Sequence, residues 1–132
     1  MKRYLEEDGS DAFDTFCELP AVERVLCALG VTEFTGVLEQ RGRLRSLTRS
    51  QASEVRQGFL VDVAADGWRV VDFEAEMFSR AGNLMIELGA PLASLDALHR
   101  ACALHHGTQE FATADPQLAT AARKAKLRVR TF

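Results

Sequence analysis

Apolar and polar positions recur along this chain in two rhythms, and the switches between them predict its elements. Gly9-Ser10-Asp11 can open a helix to about Glu18, with Phe13 and Phe16 on one side and Pro20 ending it. Val25 to Thr32 is a short apolar run rich in valine and leucine, as expected of a buried parallel strand. Glu33 then begins a helix through Gln40, which Gly42 stops. Ser46-Leu47-Thr48 starts a long amphipathic helix in which Ala52, Val55, Phe59 and Val63 return at intervals of three or four. Asp66-Gly67 turns the chain into a second strand, Trp68 to Phe73, and another helix runs from Glu74 to Leu88, closed by Gly89 before Pro91. Ser94 reads as the N-cap of the next helix, which carries Asp96 in its first turn and repeats Leu95, Leu98 and Cys102 at helical spacing. Phe111 to Thr113 is a third strand, Pro116 to Ala125 the last helix, and Leu127 to Val129 the final strand. Helices alternating with short apolar strands predict an α/β domain, with a mostly parallel central sheet flanked by helices.

Size and composition narrow the picture. The 132 residues suit one domain, 1–132, and no repeat or linker interrupts them. A hydrophobic share of 47% beside 27% charged residues fits an ordinary globular protein. No apolar run is long enough to span a bilayer, and Met1-Lys2-Arg3-Tyr4 leads into acids rather than a signal-peptide core, so a cytoplasmic location is the default expectation. Cys17, Cys27 and Cys102 are an odd count without a close pair, each among apolar neighbours; buried thiols are expected rather than disulfides or zinc. A net charge of −3 argues against a broad basic surface for nucleic acid. Basic residues do cluster at Arg41, Arg43, Arg45 and Arg49, and again at Arg123, Lys124, Lys126, Arg128 and Arg130. Each cluster can be a local rim for a phosphate backbone or a solvated helix face.

Candidate chemistry centres on two carboxylates at successive helix starts. Asp115 precedes Pro116, which restricts it to extended geometry and suits the first helical position, so Asp115 reads as an N-cap. Asp96 and Asp115 both sit where backbone N–H groups and the helix dipole favour negative charge. If their helices flank one parallel sheet, both starts point to the carboxyl edge of its strands, where open α/β sheets bind ligands. Each acid alone has an ordinary explanation as a helix-start residue. His99, one turn beyond Asp96, shares the apolar stripe and reads as a packed histidine rather than a base. His105-His106-Gly107 marks a helix C-terminus, and Trp68 and Phe73 read as core. Serine-hydrolase and glycine-rich phosphate-loop patterns are lacking.

Leu95-Asp96-Ala97-Leu98-His99 followed by Thr113-Ala114-Asp115-x-x-Leu118 resembles the PIN domain, and more closely the VapC-type toxins of bacterial toxin–antitoxin pairs. The resemblance reaches upstream to Glu33, where that family carries an acid at a helix start. It implies a metal-dependent endoribonuclease in which Glu33, Asp96 and Asp115 hold Mg2+ or Mn2+ and Thr113 positions a water or a ligating carboxylate. RNA as substrate, a cognate antitoxin and a homodimer follow from the same resemblance. Family members open with a strand ending in an Asp-Thr-Ser-like motif, then continue as Met1-Lys2-Arg3-Tyr4-Leu5-Glu6-Glu7-Asp8-Gly9-Ser10 does here. The first strand and first acid are therefore expected to be missing, with Met1 a misassigned start where relatives carry valine. Asp14-Thr15 lies in a helical stretch and is no substitute. Without a central strand, the four others must re-pair or borrow pairing from a second copy. A rival expectation is a catalytically inactive PIN remnant serving as a protein-binding or self-associating module. A small phosphohydrolase is a third, for which no nucleophile or substrate pocket is apparent.

Overall fold

The computed structural model describes residues 2–20, 22–65, 67–87 and 93–132. Its chain divides into two compact units, Met1–Asp72 and Phe73–Phe132.

In the first unit, helix α1 (Ser10–Cys17) is followed by strand β1 (Val25–Cys27), helices α2 (Ala28–Arg43) and α3 (Arg49–Ala64), and strand β2 (Arg69–Val71). The strands pair in parallel, with Val25 opposite Arg69 and Cys27 opposite Val71. The apolar run expected to be a strand through Thr32 is only three residues of strand, because Val31, Phe34 and Leu38 continue it at helical spacing and face the core. Glu33 consequently lies well inside α2 rather than at its start, and the first turn of α2 carries no acid. Gly42 does not stop this helix either. The chain leaves it at Arg45 with φ 57°, and Ser46 N–H returns to Arg41 O at 3.0 Å, closing the end without a glycine. The long helix expected from Ser46-Leu47-Thr48 onward begins as α3, capped by Thr48 in a reciprocal box with Gln51.

Three aromatic rings organise this unit's core. Phe34 and Phe59 stack at 4.2 Å, and Tyr4 meets each edge-on at 5.4 Å. The Tyr4 hydroxyl donates to Asp62 Oδ2 at 2.8 Å and accepts from Trp68 Nε1 at 2.9 Å. Arg3 pairs with Asp14 at 3.2 Å and with Asp62 at 3.7 Å. A polar network thus ties the segment before α1 to α1, α3 and the start of β2, around an apolar centre.

The second unit contains helices α4 (Ala75–Glu87) and α5 (Ser94–His105), strand β3 (Phe111–Thr113), helix α6 (Pro116–Lys124) and strand β4 (Val129–Thr131). Gly89 and Pro91, expected between α4 and α5, lie outside the described residues, as does Asp66. Buried Met77, Ala81 and Leu84 line α4, and buried Ala97, Ala101 and Cys102 line α5; the alanines permit close helix approach. Ala103, Ala122 and Leu127 form a second cluster, on which Phe111 and Val129 pack. The final strand starts two residues later than expected because Leu127 closes α6. Its N–H bonds to Ala122 O at 3.0 Å after Lys126 takes φ 63°, and its side chain is buried. β3 and β4 pair in parallel, Phe111 opposite Val129 and Thr113 opposite Thr131.

The α/β class holds, with parallel pairing throughout, but the expected single central sheet does not. Among the described residues the four strands make two separate two-stranded pairs. All three cysteines are buried, as expected.

Burial pushes the Tyr4 hydroxyl up to about 12 from its ordinary 10, with Asp62 adding to the rise and Trp68 opposing it. The unfolded chain then loses this proton at lower pH than the folded one. The stabilisation is complete below pH 10 and is lost as pH rises toward 12. It amounts to at most about 2–3 kcal/mol. Denaturant unfolding of Tyr4→Phe should show a shallower fall in stability across that window than the native sequence. Below pH 10 the variant should be less stable by about 1–2 kcal/mol, from the lost hydrogen bonds.

Candidate functional site

Three of the four expected site residues belong to the second unit, and two of them touch. Asp115 has extended backbone, φ −86° and ψ 116°, which its position before Pro116 favours. Its Oδ1 accepts from Gln117 N–H at 2.7 Å and Leu118 N–H at 3.2 Å, capping α6 as the sequence indicates. Thr113, at the end of β3, accepts the Asp115 N–H on its Oγ1 at 3.0 Å. Strand, threonine, acid and helix start are thereby locked in one turn. Among the described residues Asp115 Oδ2 makes no hydrogen bond, so one oxygen of an exposed carboxylate stays open to a ligand.

Asp96 stands in the first turn of α5, as expected, but the cap differs. The N-cap is Ala93, with φ −63° and ψ 144°; Ser94 is already helical, and no side chain caps this end. Asp96 is partly exposed, and among the described residues its carboxylate makes no hydrogen bond. Its backbone carbonyl accepts from Arg100 Nε at 3.3 Å. Arg100 is fully buried, and among the described residues its two terminal nitrogens have no hydrogen-bond partner. Desolvation lowers the pKa of its guanidinium, against the attraction of Asp96. Arg100 escapes the sequence reading, although a signal exists. It is the one permanently charged residue within Ala97-Leu98-His99-Arg100-Ala101-Cys102-Ala103-Leu104, at helical spacing from Ala97 and Ala103.

Glu33 is half-buried in α2 of the first unit. His99 is half-buried in α5, and His105 closes that helix, with Nε2 3.3 Å from Glu74 Oε1. Several of the clustered basic residues are paired within the protein. Arg41 pairs with Glu7, while Arg128 and Arg130 share Glu110 at 3.1 and 2.6 Å. The Arg130 hydrogen bond holds the Glu110 carboxyl below the usual carboxylate range. Arg123 instead faces a shallow groove of about 440 Å3 beside Asp115, with Pro116, Thr120 and Thr131 among its walls.

The oxygen donors of Asp96 and Asp115 are of the hard kind that magnesium and manganese prefer. Among the described residues, however, no group of three or more His, Cys, Asp or Glu side chains is gathered to hold a metal ion. A closed protein cage does not fit this donor set. Magnesium sites commonly use one or two carboxylates completed by water and substrate phosphate, which is the arrangement such acids can serve.

A PIN-domain family model matches residues 4–124, a span that takes in both units and all four expected site residues. The chain belongs to the PIN-domain family. No curated protein matches it, and no solved structure does. PIN domains are nucleases as a class and generally depend on divalent metal, which gives the acids at α5 and α6 a common chemical context. Among the described residues no helix is long and apolar enough to cross a membrane.

Because asparagine caps helices about as well as aspartate, Asp115→Asn should change stability by no more than about 0.5 kcal/mol, whereas Asp115→Ala should lose about 1 kcal/mol. Denaturant unfolding of the two variants checks whether Asp115 carries this structural role separately from any chemical one.

Proposed function

We propose that this PIN domain is a VapC-type endoribonuclease: an Mg2+- or Mn2+-dependent toxin that cuts RNA in the cytoplasm, is restrained by a cognate antitoxin, and works as a homodimer. The observation that carries the reading is the Thr113–Asp115 turn at the head of α6, a capped acid with one open carboxylate oxygen inside the family-matched span. Asp96 is the second acid, and Glu33 the third from the resemblance. A divalent ion held by such acids supplies a Lewis acid and an activated water for phosphodiester hydrolysis. Thr113 orients the Asp115 backbone and, through it, the carboxylate. The whole chain is read as one domain, 1–132.

A second reading, a non-catalytic PIN module that binds another polypeptide or its own copy, draws on the surface of α4. Phe78, Met85 and Ile86 there are exposed at helical spacing, and Ile86 is 81% accessible.

Cleavage of a structured RNA in millimolar manganese separates the two. The nuclease reading expects cleavage that falls by more than about 100-fold in Asp96→Asn and by about 10–100-fold in Thr113→Ala. Asp115→Asn should act as Asp96→Asn does, with a milder loss. Circular dichroism should show each variant folded. Equal and undiminished cleavage by all variants would point to a contaminating nuclease, and no cleavage at any metal concentration would leave the binding module as the function.

A further inference from the structure

The head of α5 combines two features that point to the same kind of ligand. The helix is 12 residues long and among the described residues begins without a side-chain cap, so its N-terminal N–H groups and positive dipole end are offered to an anion. One turn beyond Asp96, the fully buried Arg100 reaches back to the Asp96 carbonyl, with Nη1 and Nη2 both lacking an acceptor among the described residues. Desolvation of the buried guanidinium is offset in part by the attraction of Asp96, but its two terminal nitrogens meet no acceptor among the described residues, and they form the fork that grips two oxygens of one oxyanion.

We propose that Arg100 and the first turn of α5 form a phosphate-binding subsite, which takes a phosphodiester group of the nucleic-acid substrate. The proposal rests on the nuclease reading for the identity of that phosphate. Electrostatics favours a phosphodiester over a protein carboxylate. Asp96 already places one carboxylate in this turn, and a second would add repulsion without a metal to bridge the two. A phosphodiester can instead share the divalent ion that Asp96 would help to hold while Arg100 takes its other oxygen. Arg100 also addresses a difficulty inherent in a site built of acids, which repels its own substrate until a positive charge is supplied. Because the guanidinium is already out of water, an incoming phosphate must give up its own hydration and part the side chains around Arg100, so binding should be weak for a lone ion.

The direct test follows the Arg100 Nε–H signal by nuclear magnetic resonance, assigned through its loss in Arg100→Met, while inorganic phosphate, a dinucleoside monophosphate or acetate is added to the metal-free native protein. A saturable shift with the two phosphates at millimolar concentration, larger than with acetate, is expected. A signal indifferent to phosphate overturns the subsite, and an equal or larger response to acetate assigns it to carboxylates instead. Arg100→Met should melt at higher temperature than the native protein without phosphate, since a buried charge with two unmet donors is gone, and should lose the rise in melting temperature that phosphate gives. Arg100→Lys should retain part of that rise. If phosphate shifts the signal but RNA is never cut, the subsite stands and the nuclease reading fails. If RNA is cut in an Asp96-dependent way while phosphate leaves the signal unmoved, the reverse holds.

Discussion

Three-residue parallel strands contribute so few ladder hydrogen bonds that neither pair in this protein can stand by its own pairing. Everything else in each unit compensates for that shortage. In the first, the Phe34–Phe59 stack with Tyr4 across its edge gathers the segment before α1 and helices α2 and α3 over the strand pair. Burial of such rings is worth more than the hydrogen bonds three residues can make. In the second, alanine-lined helices and the Ala103–Ala122–Leu127 cluster do the same for β3 and β4. Short strands also deliver their last residues directly into helix starts. That is how Thr113, the final residue of β3, comes to hold the backbone of Asp115.

The two acids of the second unit owe their positions to different local physics. Asp115 is fixed from both sides, by proline and by its own capping bonds, and one of its oxygens is committed to structure. Asp96 is placed only by the phase of α5, with its carboxylate uncommitted. A substitution at Asp115 therefore mixes stability with chemistry unless it preserves the cap, whereas one at Asp96 reports on charge more directly.

How far the sequence could be read follows from how local each signal is. Asp115 with Pro116 and the Phe111–Thr113 strand are set by neighbours within a few residues, and each appears where the pattern places it. Periodicity misled where an apolar run served both rhythms. Val25 to Thr32 reads as one strand until the spacing of Val31, Phe34 and Leu38 is followed through, and Glu33 moved with the error. The end of α2 near Arg45 and the late start of the final strand after Lys126 were hidden because a non-glycine residue took the left-handed conformation at each place. The division into two strand pairs is a long-range property that no local signal carries. Of the site, the Asp115 cap was legible, whereas the bond from the Asp115 backbone N–H to Thr113 and the buried state of Arg100 were not, since burial depends on what the rest of the unit places over it.

Charge balance connects these observations. In the nuclease reading, carboxylates at α5 and α6 must receive a polyanion, so the useful question is which cations remain available. Arg41 is engaged by Glu7, and Arg128 and Arg130 are engaged by Glu110, which takes three residues out of the two basic clusters. Arg123 remains in the groove beside Asp115, at the surface, where salt screens its field. Arg100 remains inside, where low dielectric makes one charge act more strongly than several exposed ones. In the proposed subsite a protein of net charge −3 can thus present positive potential to a phosphate without a basic surface, by burying a single guanidinium within α5 and leaving two of its donors unmet among the described residues.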